Sequence, residues 1–457
     1  MKFEEIQTVY FVGIGGIGMS ALARYFKSQN KQVKGYDKTR TELTEQLTNE
    51  GIQVHYDDWG TKALEGLNKL NTLVIYTPAI PKDHGELSAF EQENFYLIKR
   101  AKALGIISGG FETYAVAGTH GKTTTSTLLA WVLSNTEQGC NAFVGGISSN
   151  FHSNTIINAL SKRVVVEADE FDRSFLQLDP YYTIVTNMDP DHLDIYGDGS
   201  HLLSSFNDFM NRTNDEGLLV LNVNLKVDQF KFTTSAGRIT YGLHKDADYF
   251  ATNLRYEQGR FLFDIRKPDR GVVSAVELGI PGEHNCENAT AVFALCTELG
   301  MPEKTLRDAL TSFKGVQRRF DFQIRRDDIV VIDDYAHHPT EITAFLNAVK
   351  KLYPGKKITA VFQPHLFSRT RDFMDDFAAS LSLADELFLL DIYPARELPM
   401  QGITSAALLE KVNLKNKWMS SKESIVNDLK SGRREVVVIV GAGDIDTCVK
   451  PIADSYK

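Results

Sequence analysis

The chain has 457 residues, 43% of them hydrophobic and 24% charged, which excludes a disordered or collagen-like polymer and is enough for about three domains. With 59 Asp plus Glu against 50 Lys plus Arg the net charge is -9, so the surface as a whole repels a phosphate backbone and no nucleic-acid partner is expected. The four cysteines, Cys140, Cys286, Cys296 and Cys448, lie far apart without a Cys-x-x-Cys pair, no run reaches the ~18 apolar residues of a membrane span, and the N-terminus lacks the order of a signal peptide. The expectation is a cytoplasmic protein without disulfides, zinc or a membrane partner.

Short β-rich apolar runs alternate with longer amphipathic stretches, the pattern of βαβ units in mainly parallel sheets, so the fold class is α/β. The predicted strands cover residues 9–12, 33–36, 73–76, 114–117, 164–167, 183–186, 329–332, 358–362, 386–390 and 436–440. Several end at Gly, Asp, Asn or Pro, where open α/β sheets place ligands. Seams at residues 104–110 and 314–316 divide the chain into expected domains 1–107, 108–314 and 315–457.

After the first strand comes Gly-Ile-Gly-Gly-Ile-Gly, residues 13–18, opening a helical stretch at 21–27. Such glycines let the backbone turn tightly and approach a diphosphate at a helix N-terminus, and Asp37 ends the next strand where a ribose or base contact is made. By itself this suits a dinucleotide oxidoreductase, any nucleotide-diphosphate binder, or a strand-helix turn with no ligand.

The second loop narrows the chemistry. Gly118-Thr119-His120-Gly121-Lys122-Thr123-Thr124 follows a strand and precedes a helix, so its amides can wrap a polyphosphate, Lys122 can reach the terminal phosphates and Thr123 can ligate Mg²⁺. It is an ATP P-loop, shorter by two residues than the common form. The next strand ends in Glu-Ala-Asp-Glu, and Glu167 is the expected metal ligand; the alternative is a solvated strand-end cluster of Glu167, Asp169 and Glu170. A third strand runs into Asp189-Pro190-Asp191-His192, where His192 is expected at a second Mg²⁺ or the transferring phosphoryl group, against a hydrogen-bonded structural histidine.

Further on, His284, Asn285 and Asn288 offer hydrogen bonds to Mg-ATP or serve as helix caps. The last third opens with Arg318-Arg319-Phe320, then a strand ending in Asp333-Asp334-Tyr335-Ala336-His337-His338-Pro339, with Pro339 at the first turn of a helix. A further strand is followed by Gln363-Pro364-His365, with Arg369 and Arg371 beyond. Strand ends carrying His and Arg suit a small anionic substrate; ordinary surface arginines are the alternative. The turn Gly441-Ala442-Gly443-Asp444-Ile445 has no assigned role.

Taken in order, these motifs resemble the Mur ligases, and the resemblance spans about the whole chain. It implies three domains: a Rossmann-like domain, a central P-loop ATPase-type domain with a mainly parallel sheet, and a C-terminal Rossmann-like domain. It implies that Gly13, Gly15, Gly16, Ile17 and Gly18 bind the diphosphate of a UDP-sugar, with Asp37 and His55 toward the uridine. The implied reaction, in peptidoglycan precursor synthesis, uses ATP and Mg²⁺ to activate the lactyl carboxylate of UDP-N-acetylmuramate as an acyl phosphate, which L-alanine then attacks. Gly118 to Thr124, His284, Asn285, Asn288, Arg319 and Asp334 would serve ATP. Lys122 would steady the γ phosphate, and Thr123, Glu167 and His192 would hold Mg²⁺. Tyr335, His337, His365 and Arg369 would hold the amino acid. The family commonly has Arg after the His of Gln-Pro-His, where this chain has Leu366. Some members carry a modified lysine beyond the His192 region; residues 193–212 contain no Lys, consistent with the branch that adds L-alanine. The partners so implied are small molecules, for a monomer or homodimer. The rival readings are a ligase that joins a tripeptide to the same UDP-sugar, an NAD-dependent oxidoreductase, and a catalytically inactive nucleotide-binding regulator.

Overall fold

The computed structural model describes residues 3–189, 199–225, 227–257, 260–395 and 397–457. Its strands form three sheets. The first consists of β1 (Thr8–Val12), β2 (Gln32–Tyr36), β3 (Gln53–His55), β4 (Thr72–Tyr76) and β5 (Tyr96–Lys99), in the order β3-β2-β1-β4-β5 and parallel throughout. The order reverses at β1, which opens a crevice beyond its C-terminal end. Every residue of β1 is buried, as expected for a strand covered on both faces. The helix Ile17–Ser28 packs on one face through Met19, Ala21, Leu22, Ala23 and Phe26.

The second sheet has ten strands: β6 (Glu112–Ala117), β7 (Asn141–Phe143), β8 (Thr155–Ile156), β9 (Arg163–Glu167), β10 (Tyr182–Val185), β11 (Leu218–Asn222), β12 (Gly237–Gly242), β13 (Tyr249–Glu257), β14 (Arg260–Arg266) and β15 (Val272–Leu278). Their order is β15-β14-β13-β12-β11-β10-β6-β9-β7-β8. The run from β12 to β7 is parallel, and β8 is antiparallel. The third sheet holds β16 (Asp321–Arg325), β17 (Val330–Asp334), β18 (Ile358–Phe362), β19 (Glu386–Leu389), β20 (Lys417–Met419) and β21 (Val436–Val440), ordered β16-β17-β21-β18-β19-β20. Only β16 is antiparallel to its neighbour. All ten predicted strands are present, two with the expected bounds and the others with ends displaced by at most two residues.

The chain divides into two compact units, one of Met1–Thr252, Asp264–Val276 and Glu287–Ser312, the other of Asn253–Phe263, Glu277–Cys286 and Phe313–Lys457. In the first unit, Val9, Phe11, Leu22 and Phe26 share one apolar cluster with Phe143, Val164 and Val166. The first two sheets are therefore joined by continuous core as well as by chain. A polar latch adds to it: buried Asn154 donates to the carbonyl of Ile17 and to Ser20 Oγ (2.9 Å) and accepts from Arg24 Nη1 (2.6 Å). In the second unit, β17, β18 and β21 are buried at every position.

All four cysteines are free and buried, and burial pushes the Cys140 and Cys296 thiols up to about 12. The unassigned turn after β21 has a structural role: Gly441 has φ +147, and a Cβ there would stand 2.8 Å from the Gln363 carbonyl oxygen. Gln363 in turn accepts from the Ile445 amide at 2.9 Å.

Candidate active site

The three strands that carry the P-loop residues are neighbours, in the order β10-β6-β9, so their C-terminal ends converge. From β6 the chain enters the loop Gly118–Gly121 and then the helix Lys122–Ser134, whose N-cap is Gly121 with φ +79. Gly118 has φ +136, and a Cβ there would lie 2.0 Å from Thr186 Oγ1. Only glycine fits, and the loop backbone is drawn against the end of β10. Asn187 Oδ1 fixes the loop by accepting from Thr119 Oγ1 (2.6 Å) and the His120 amide (2.7 Å). On the other side a Cβ on Gly121 would meet Asn288 Oδ1 at 2.9 Å, which puts buried Asn288 beside the phosphate loop.

Lys122 Nζ donates to the Gly118 carbonyl (2.6 Å) and to both oxygens of Glu170 (2.7 and 3.0 Å). Glu170 is fully buried. Burial opposes the lysine charge, but Glu170, then Asp169 and Glu167, outweigh it and raise the Lys122 pKa. Glu167, at the end of β9, accepts from the Gly145 amide (2.9 Å) and from Ser126 Oγ (3.5 Å). Thr123, in the first turn of the Lys122–Ser134 helix, adds a hydroxyl. Oxygen donors and carboxylates in excess of cations are what a hard divalent ion requires, so the residues present fit Mg²⁺. His192 lies outside the described residues.

The first glycine loop is also built as a close turn. The amides of Gly13 and Ile14 both donate to the Tyr36 carbonyl, and Gly15 N donates to Asp37 Oδ2 at 2.7 Å. No side chain caps the N-terminus of the helix Ile17–Ser28, which leaves its first amides for a ligand. Arg100 lies over Gly18, where a Cβ would stand 2.8 Å from its Nη1, and reaches Asp169 Oδ2 at 3.2 Å. A cavity of about 160 Å³ opens here, lined by Gly18, Arg100, Phe143, Gly145, Glu167 and Asp169 among others. His55 ends the neighbouring strand, where its carbonyl accepts from the Asp37 amide at 3.0 Å, its ring stacks on Trp59 at 3.7 Å, and Nε2 meets fully buried Glu86 at 2.7 Å.

In the second unit, Asp334 ends β17, where it accepts from the Phe320 amide (2.7 Å) and the Ala336 amide (2.8 Å). Burial pushes its carboxyl up to about 6, partly offset by Arg319 and those two amides. Its neighbour Asp333, 3.4 Å from Arg318, rises to about 7, again through burial. Arg318 and Arg319 both lie against the ring of Tyr335, at 5.1 and 5.0 Å. Glu341 Oε2 accepts from the His337 amide (3.0 Å) and lies 3.3 Å from His337 Nδ1, while its other oxygen is 3.8 Å from Arg319. Burial lowers both His284 and His337 to about 4, so both imidazoles are neutral at pH 7. His365 packs 6.2 Å from His337 and stacks on Tyr393. Leu366 follows with φ +70, and Arg369 lies in the helix Phe367–Asp372.

The residues thus fall into groups: Gly118–Thr124 with Glu167 and Asn288; Gly13–Gly18 with Asp37; His284 with Arg319; and Asp334, Tyr335, His337, His365 and Arg369 around the ends of β17 and β18. His55 adjoins the second group, its carbonyl accepting from the Asp37 amide at 3.0 Å. Sequence reading passed over Asn187, Arg100 and Glu341 and did not give Glu170 its lysine. Glu341 alone had a local signal, as the acid three residues after the helix-capping His338.

A P-loop between parallel strands, facing carboxylates, with two further α/β sheets carrying a diphosphate-type loop and a His/Arg cluster, defines an ATP-dependent enzyme that transfers a phosphoryl group to a small substrate. Family models for the Mur ligase family catalytic domain, the Mur ligase middle domain and the Mur ligase glutamate ligase domain match residues 8–112, 116–296 and 318–443. A UDP-N-acetylmuramate–L-alanine ligase of Christiangramia forsetii is 48% identical over 98% of this chain and 97% of its own, and one of Flavobacterium johnsoniae is 47% identical over 99% and 98%. The crystal structure of the UDP-N-acetylmuramate–alanine ligase from Thermotoga maritima superposes with a TM-score of 0.83 at 30% identity, covering 98% of this chain and 99% of that one. A murein peptide ligase from Psychrobacter arcticus shares the fold, with a TM-score of 0.73 at 21% identity and 98% coverage of both chains. The chain belongs to the Mur ligase family, whose members are ATP-dependent ligases that form carbon-nitrogen bonds.

Proposed function

We propose that this protein joins L-alanine to the lactyl carboxylate of UDP-N-acetylmuramate, with ATP cleaved to ADP and phosphate. The observation that carries the reading is identity of 48% over nearly the whole length to a ligase of that name, together with the P-loop whose Lys122 is seated on Glu170. The tripeptide-joining reading has in its favour likenesses to solved structures at 21% and 24% identity, well below the 48% of the alanine-adding relative. An NAD-dependent oxidoreductase does not account for the P-loop.

In the proposed reaction a lactyl carboxylate oxygen attacks the γ phosphorus, the bond to the β-phosphate oxygen breaks, and ADP leaves. Lys122, Thr119 to Thr124 and Asn288 position the triphosphate. Thr123, Glu167 and His192 would hold Mg²⁺, which when bound would neutralise charge on the transferring phosphoryl group. His284, Arg319 and Asp334 serve the nucleotide from the second unit. Tyr335, His337, His365 and Arg369 orient L-alanine, whose amine attacks the acyl carbon after losing a proton; phosphate then leaves. Gly13 to Gly18 and Asp37 receive the UDP-sugar, with His55 toward the uridine. The domain limits 1–107, 108–314 and 315–457 are part of this proposal, supported by one family model falling largely in each. So are a cytoplasmic location, a monomeric or homodimeric state and no nucleic-acid partner. Among the described residues no helix is long and apolar enough to cross a membrane.

The test is phosphate release from Mg-ATP with UDP-N-acetylmuramate, comparing L-alanine with the tripeptide L-Ala-γ-D-Glu-meso-diaminopimelate and weighing the product. Release driven by L-alanine, with a product heavier by one alanyl residue, is the expected result. Release only with the tripeptide overturns it.

A further inference from the structure

The cavity beyond Gly18 contains one cation among its described lining residues, Arg100, facing two carboxylates, Glu167 and Asp169. A ligand carrying negative charge into this space is repelled by those two acids unless a cation meets it. The helix N-terminus at Ile17 supplies only partial positive charge, on the order of half an elementary charge. Arg100 supplies a full one. It starts the helix that follows β5, its side chain is 22% exposed, and its Nη1 lies so close over Gly18 that a Cβ there would stand 2.8 Å away. Asp169 accepts from Arg100 Nη2 at 3.2 Å, while Nη1 is the nitrogen that lies over Gly18.

The geometry points to Arg100 as a direct anchor of the diphosphate of the UDP-sugar, completing from β5 the cradle that the glycine loop opens after β1. This inference rests on the proposed function for the identity of the ligand. Its position over Gly18, in the first turn after the glycine loop, assigns it to the diphosphate; Glu167 lines the same cavity, so the lactyl carboxylate is told apart by the two uridine ligands that lack it. Arginine suits the task because two parallel N–H donors can meet two phosphate oxygens. The same Asp169 that braces Arg100 also acts on Lys122, so the two phosphate sites share one carboxylate.

The experiment measures equilibrium binding of UDP, UDP-N-acetylglucosamine and UDP-N-acetylmuramate to the full-length protein and to Arg100→Ala and Arg100→Lys, with ATP binding and thermal melting as controls of folding. Loss of a charge-assisted pair predicts roughly 10- to 100-fold weaker binding of all three uridine ligands to Arg100→Ala, with ATP binding unchanged. Arg100→Lys keeps the charge without the fork and falls in between for all three; it decides the matter if Arg100→Ala does not fold. Weakening confined to UDP-N-acetylmuramate, the ligand with a lactyl carboxylate, overturns the assignment, and so does unchanged binding of all three. If the unsubstituted protein binds none of the three ligands, the proposed function itself fails, whatever the variants do.

Discussion

Lys122 Nζ sits 2.7 Å from Oε2 of Glu170, a carboxylate with no solvent exposure. The pair holds the lysine at the floor of the P-loop, where its charge remains because the acids around it outweigh the effect of burial. Removing one partner leaves a buried charge uncompensated, a loss of about 3–5 kcal/mol. Glu170→Ala is therefore expected to be strongly destabilised in urea unfolding, and the double variant Lys122→Met/Glu170→Ala to recover much of the loss. Lys122→Ala is expected to lose turnover while binding UDP-N-acetylmuramate nearly as well as the original protein; loss of both in a folded variant would mean the two sites are misassigned.

Asn154 ties the first turn of the helix Ile17–Ser28 to the central sheet through three hydrogen bonds, to Ile17, Ser20 and Arg24. Asn154→Ala removes all three bonds, although Arg24 keeps Glu50 and Ser20 keeps the Ile17 carbonyl, and the cost is about 1–3 kcal/mol. The expected outcome is a lower unfolding midpoint together with a raised KM for the UDP-sugar and an unaltered KM for L-alanine. A KM change for L-alanine alone would refute the latch.

Burial pushes the Asp333 carboxyl up to about 7 in the fold, above the ordinary carboxylate value. The folded state then binds a proton that the unfolded state has already released, so this residue's contribution to stability is complete below about pH 4 and disappears as pH rises through about 7. Its effect between pH 5 and pH 8 is on the order of 2–3 kcal/mol. Asp333→Asn should flatten the decline of stability across that interval, gaining most at pH 8. Parallel unfolding curves at the two pH values for both proteins would contradict this.

Leu366 holds φ +70 between His365 and Arg369, a backbone region costly for a leucine by about 1–3 kcal/mol. Its carbonyl accepts from Thr370 Oγ1 at 2.8 Å and its amide donates to Tyr393 at 2.9 Å, so surrounding bonds impose the conformation. Leu366→Gly should be neutral to stabilising in thermal melting, whereas Leu366→Ala, which keeps the strain and loses packing, should be destabilising. Because Arg369 follows this turn and is proposed to orient L-alanine, the glycine variant is also expected to show a raised KM for L-alanine.

Much of the architecture could be read from the chain because strands such as Val436–Val440 are buried on both faces and appear as uninterrupted apolar runs. The edge strands could not, and the interior strands β7 and β11 to β14 of the second sheet also went unpredicted. Gln53–His55 and Lys417–Met419 have three residues each, and Val272–Leu278 mixes buried with exposed positions, so none leaves a clear run. In the site, Glu167 was legible as the carboxylate closing a strand, but the lysine's partner is Glu170, three residues on in the following loop. Arg100 was invisible because its meaning comes from Gly18 and Asp169, both brought to it by tertiary packing. The family resemblance supplied roles for His284 and Asn285 that local reading had left open between capping and binding. In the structure the Asn285 amide donates to the Pro281 carbonyl at 2.6 Å, a local bond at the start of its helix.

The buried cysteines have a practical consequence. With Cys140, Cys286, Cys296 and Cys448 spread across both compact units and all withdrawn from solvent, the native protein resists alkylating reagents, while a chain that opens exposes four nucleophiles at once. Their labelling order under native conditions would therefore record which part of the molecule breathes first.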